Sequence, residues 1–369
     1  MKKLLVVFVM CVLLMQVSAV TVSAEEIGYD FSGVYEGLSD DAVRHLNELG
    51  VNSADAQSLS ALSFEGIMAQ VGAMAAESAD SPLKGLITVT ALLLICSMLS
   101  AYKNTLSGEI STAMNTVCAL CISCAVAIPA VSVIQSAESV VTGCANLFLA
   151  YIPIVTVMMA TAGKPLASAS YYASMIAAGE GAARLSSDII LPFLNMFLGL
   201  AVTAGISQRI NLNGLIAMLS KTLKWFLGLM MTVFTTVISF RQMLSASLDS
   251  VGGKVARFAI GSFVPIVGSA LSEAYGTVQS SLSVLKSGLG VFVILAVAVT
   301  FLPIVLQAVL WSLTLWTGKA AAEVMGLYQS ARLLGSLSAV FSALLAVLLC
   351  MMAVFIISTA AAFSIGGAA

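Results

Sequence analysis

The chain has 369 residues, of which 60% are hydrophobic and only 9% charged, with a formal net charge of −2. Soluble domains carry about 25% charged residues, so water is excluded as the solvent for most of this surface. No basic stretch suits nucleic acid, which is excluded as a partner.

The chain opens on a leader pattern. Lys2 and Lys3 form a cationic start, residues 4–15 an apolar stretch, and Val22-Ser23-Ala24 a small-residue cleavage signal before Glu25. Residues 1–24 are predicted as a signal peptide and residues 25–84 as a small exported helical segment, which places the mature N-terminus outside the membrane. Between positions 25 and 82 there are eleven acids, and Arg44 is the one Lys or Arg. Ser39 before Asp40 and Asp41 predicts a helix start, and Gly50 predicts its end. Val43, Leu46 and Leu49 give that helix an apolar stripe, and Leu59, Leu62, Ile67 and Val71 form a second. So short a segment holds too small a core to stand alone, so packing on the membrane part or a partner is expected. The single histidine, His45, reads as a surface residue.

Residues 85–369 read as a multi-span helical domain, since about 20 apolar residues cross a bilayer. The predicted spans are 86–102, 113–135, 141–162, 188–207, 225–240, 258–275, 288–316 and 333–363. Segment 258–275 carries Gly261, Pro265 and Gly268 between Arg257 and Glu273. It either crosses as a broken helix or re-enters as a hairpin, which requires protein or water around it. The fold class is therefore all-α and polytopic, with about seven or eight transmembrane helices. Eight crossings put both termini outside, and re-entry of the sixth segment reverses everything after it. Lys221, Lys224 and Trp225 at one span start, and Trp311 and Trp316 near the end of another, read as interface anchors.

Two proline motifs suggest an internal repeat. Tyr151-Ile152-Pro153-Ile154-Val155 resembles Phe263-Val264-Pro265-Ile266-Val267, and a second proline follows each, Pro192 and Pro303. About one turn further on stand Asn195 and Gln307. The offset pairs residues 113–207 with 225–316 as three-helix units. An odd number of crossings inverts one unit against the other, as in transporters whose broken helices line a midplane site.

No enzyme chemistry emerges. Cys118, Cys121 and Cys124 lack the fourth ligand of an iron–sulfur run and read as buried, inert thiols. The chain has no phosphate-binding Gly-x-x-x-x-Gly-Lys-Ser/Thr loop, so any energy for transport comes from a gradient or a partner. Glu180 and Arg184, four residues apart, read as a solvated ion pair. No charge falls deep within a predicted span, which argues against a proton-coupled carrier. No cofactor or metal site is predicted. Abundant small residues favour a compact bundle or a homo-oligomer.

One stretch resembles a known family. It runs Val255-Ala256-Arg257-Phe258-Ala259-Ile260-Gly261-Ser262-Phe263-Val264-Pro265-Ile266-Val267-Gly268 and continues to Glu273. It is similar to the most distinctive part of the stage III sporulation protein AE family, as are Lys224-Trp225-Phe226-Leu227-Gly228 and Phe301-Leu302-Pro303. The resemblance implies a multi-pass protein of the mother-cell membrane surrounding the forespore. It implies membership of a channel or secretion complex joining the two cells, needed for late forespore development. Partners would be other membrane proteins of that complex, with a separate cytoplasmic ATPase. The alternative left by the residues is a self-sufficient secondary transporter built on the inverted repeat.

Overall fold

The computed structural model describes residues 37–51, 64–101, 108–161, 164–206, 212–263 and 268–364. The expected leader, Leu59, Leu62 and Pro265 lie outside them. All regular elements among the described residues are helical. They are α1 (Asp40–Glu48), α2 (Phe64–Ala101), α3 (Gly108–Thr161), α4 (Pro165–Arg184), a π-helical turn (Leu185–Ile190), α5 (Leu191–Ile206), α6 (Asn213–Phe263), α7 (Gly268–Val324) and α8 (Tyr328–Ser364).

The capping pattern of α1 holds. Ser39 Oγ accepts from Ala42 N at 3.4 Å, the first turn is acidic, and Gly50 closes the helix at φ +80°. Leu46 is buried, while Val43 and Leu49 are half-buried. His45 is a correction, because it is only 5% exposed and packs inward with Ala42.

Among the described residues six helices are long and apolar enough to cross a membrane: Glu65–Ala101, Ala113–Thr161, Pro165–Ile206, Gly214–Arg241, Leu289–Val324 and Tyr328–Ala361. Two expected spans, 113–135 and 141–162, are one continuous helix, α3. The polar run between them, Gln135-Ser136-Ala137-Glu138-Ser139, lowers hydropathy but contains no helix breaker. Glu138 is thus half-buried within a span where no charge was expected. At 54 residues α3 is about 81 Å long, well beyond the roughly 30 Å of hydrocarbon. Likewise α2 runs unbroken from the expected exported segment into the first expected span, through Pro82. Segment 258–275 is divided between the end of α6 and the start of α7.

Contacts fix the helix directions. Residues Cys96 of α2 and Cys118 of α3 lie together across a hairpin. Ser168 Oγ donates to Thr156 O at 2.8 Å across the α3–α4 hairpin. Gln329 Nε2 donates to the carbonyls of Gly205 and Ile206, joining the end of α5 to the start of α8. Lys224 Nζ reaches Ser342 Oγ at 2.8 Å and Cys350 Sγ approaches Leu227 O, so α6 and α8 run parallel. Ser78 Oγ meets Pro303 O and Val89 packs on Gly318, so α2 and α7 also run parallel. The six spans therefore alternate in direction, and α1 and the end of α8 share one end of the bundle.

The core lies where α3, α7 and α8 meet, with Phe148, Phe301 and Phe355 packed ring to ring. Trp311 is a second correction. It is 1% exposed and stacks on Phe341, whereas Trp316 faces outward as an anchor would. The cysteine triplet differs too: Cys118 is half-buried, but Cys121 and Cys124 face out.

Candidate functional site

A polar cavity of about 400 Å³ lies between α1, α2, α3 and α7. Small side chains leave the space: Ala42, Ser78, Ser136, Ser139 and Gly143. Gln307 and Pro303 of α7 form one wall, and Arg44 with Glu77 spans the opposite rim. Arg44 Nη2 donates to Glu77 Oε1 at 3.0 Å, which raises the guanidinium's already high pKa. Asp41 is a weaker partner of Arg44 at 3.8 Å.

Proline chemistry shapes the α7 wall. Pro303 has no N–H, so the carbonyl of Val299 one turn back loses its helical donor, and Val299 lines the cavity. The carbonyl of Pro303 itself accepts from Ser78 Oγ at 3.3 Å. Lower down the same seam, Thr314 Oγ1 donates to Pro82 O at 3.2 Å. Two parallel proline-containing helices are thus tied by side-chain donors to both proline carbonyls.

Beneath α1, Glu48 Oε2 accepts from Gln70 Nε2 and lies 3.2 Å from His45 Nδ1. The Gln70 donor, then His45, holds the Glu48 carboxyl below its ordinary range. These contacts clamp α1 onto α2.

The structure brings together only part of the expected site. Pro303 and Gln307 line the cavity. Pro153 is exposed inside α3, and Pro192 and Asn195 are exposed on α5. A π-helical turn ends two residues before Pro192 and absorbs the donor that this proline lacks. Arg257 and Gly261 lie in α6, Gly268 and Glu273 in α7, with Pro265 outside the described residues. Ser136 and Ser139 fall between the predicted spans 113–135 and 141–162, and Gly143 falls at the start of the second, so no single predicted span joins them. Their spacing of three and four residues was the available signal of a small polar stripe on one helix face. Glu180 and Arg184 do pair at 3.7 Å, but within a continuous membrane-length helix.

The cavity offers hydroxyls, a carboxamide, a freed carbonyl and one ion pair, which can hold water or a polar solute. Among the described residues no group of three or more His, Cys, Asp or Glu could hold a metal ion.

A bundle of alternating, apolar, membrane-length helices with a polar cavity between them defines a polytopic helical membrane protein. Its family follows from comparison: the profile described as stage III sporulation protein AE matches residues 53–366, and the chain belongs to that family. A curated relative, "Stage III sporulation protein AE" of Bacillus subtilis (strain 168), is 23% identical over 146 residues. That stretch covers 40% of this chain and 37% of the relative. No solved structure matches.

Proposed function

We propose that this chain is a non-enzymatic membrane component of the trans-envelope channel or secretion complex that connects mother cell and forespore. Its mature N-terminus lies outside the mother-cell membrane, and late forespore development depends on it. The observation that carries this reading is the family match across 53–366 on a bundle of six apolar spans. A further support is the cavity, which offers polar groups beside the middle of the apolar α7 span. With no phosphate-binding loop in the chain, a separate ATPase supplies the energy. Neighbouring membrane proteins complete the assembly.

A self-sufficient carrier built on the inverted repeat would need Asn195 and Gln307 to face one midplane site. Gln307 lines the cavity, while Asn195 is exposed on α5.

Deletion in the spore-forming host tests the proposal, read by a late forespore-specific reporter and by localisation of the partner proteins. The expected result is loss of late expression, restored by the intact gene. Unchanged reporter and unchanged partner localisation would overturn it.

A further inference from the structure

At the end of the bundle opposite α1, a pocket of about 450 Å³ opens between the starts of α6 and α8 and the end of α7. Three features of the chain build it. The α7–α8 connection is a tight turn in which Gly326, at φ +72°, donates to Glu323 O, and Leu327 N donates to Ala322 O. This turn brings Lys319 and Glu323 of α7 beside Tyr328 and Arg332 of α8. Gly335 forms the far wall with the Lys319 stem lying along it, and a Cβ there would make ordinary contact with Lys319 Cδ at 3.5 Å. Ile216 and Ala217 of α6 and Ala339 of α8 make the floor apolar.

The electrostatics are cationic. Lys319 Nζ lies 3.7 Å from Glu323 Oε1, both half-exposed, a pairing too long and wet to neutralise the site. Arg332 is exposed and has no carboxylate partner among the described residues. Two cations therefore face one acid across a cleft with an apolar floor. The site lies where two membrane-length helices meet at their ends. The α7 span ends at Val324 and the α8 span begins at Tyr328, with Trp316 exposed one turn before Lys319.

The geometry points to a site for a phosphate-bearing anion. Arg332 and Lys319 would hold the phosphate, Tyr328 its rim, and the apolar floor the adjoining glycerol or acyl chain. Basic clefts between the ends of spans suit anionic lipid headgroups. A soluble phosphate presents the same group to the same cations. The inference rests on the chain being a membrane protein, and not on its membership of a complex.

Native mass spectrometry of the full chain, released from nanodiscs of mixed phosphatidylglycerol and phosphatidylcholine, tests this. The wild type is expected to retain phosphatidylglycerol selectively, and Lys319→Gln/Arg332→Gln to lose that preference on the order of tenfold. Gly335→Leu fills the cleft and crowds the Lys319 stem while keeping both cations in the chain, and is expected to lose it as well, while Lys84→Gln, on α2, leaves it unchanged. Displacement of the lipid by inorganic phosphate would assign the site to a soluble anion, and resistance would assign it to the headgroup. Equal retention of both lipids by the wild type, with no binding of inorganic phosphate, would overturn the proposal. So would a preference unaffected by both the charge and the filling variants.

Discussion

Gly85 of α2 is the seat of Trp311 of α7: a Cβ built at Gly85 would overlap the indole ring, 2.7 Å from Cζ3. The missing side chain lets α2 and α7 close on each other just past the Pro82 tie. Trp311, also stacked on Phe341, then reaches α8. One glycine thereby joins three spans.

Substitution at this seat separates packing from propensity. Gly85→Ala gains helix propensity but drives a methyl into a buried ring, and overpacking of this kind costs about 1–3 kcal/mol. Gly199 of α5 meets nothing within 4 Å, so Gly199→Ala keeps only the propensity gain of up to about 1 kcal/mol. Thermal unfolding in detergent should show the first variant below wild type and the second level with it or above.

The cavity assigns different weights to the two carboxamides. Gln307→Ala removes a polar group from the cavity wall and is expected to reduce the late forespore reporter severalfold. Asn195→Ala alters an exposed position on α5 and should leave the reporter at wild-type level. Equal effects of the two would mean that the cavity has no special part in function.

Docking of α1 carries an acid dependence. The Gln70 donor and His45 keep the Glu48 carboxyl below its ordinary range. A carboxyl lowered by folding contributes stability above its unfolded value of about 4.3, and that contribution disappears as pH falls through the folded value. The protection of α1 amides, taken relative to their intrinsic exchange rate at each pH, should therefore fall as the pH drops below about 4 and stay flat above about 5. In Gln70→Ala the largest cause of the lowering is gone. Protection in α1 should then be lower at neutral pH and change less through the acid window.

What could be read from the chain followed from local rules. Helical class, membrane solvent and the α1 boundaries rest on hydropathy and on Ser39 and Gly50 acting on their immediate neighbours. Span number did not follow, because hydropathy marks where a helix is apolar and says little about where it stops. The run from Gln135 to Ser139 dips in hydropathy, yet those residues continue the helix. Burial of His45 and Trp311 was hidden for a different reason. Their partners, Gln70, Gly85 and Phe341, are distant in sequence and become neighbours only when the spans pair. One wall of the cavity was visible in Pro303 and Gln307. The rest comes from α1, α2 and α3, whose approach no local pattern encodes.

The alternation of six spans is the claim on which the remaining arguments stand, and impermeant thiol labelling tests it most directly. In a chain freed of native cysteines, single cysteines at Asp41, Lys254 and Val324 report three places along the bundle. Position 254 lies in α6 beyond the span that ends at Arg241, and Val324 is 90% exposed at the α7–α8 turn. The account predicts that 41 and 254 label from one face of the membrane and 324 from the other. Labelling of 254 together with 324, opposite to 41, would contradict it.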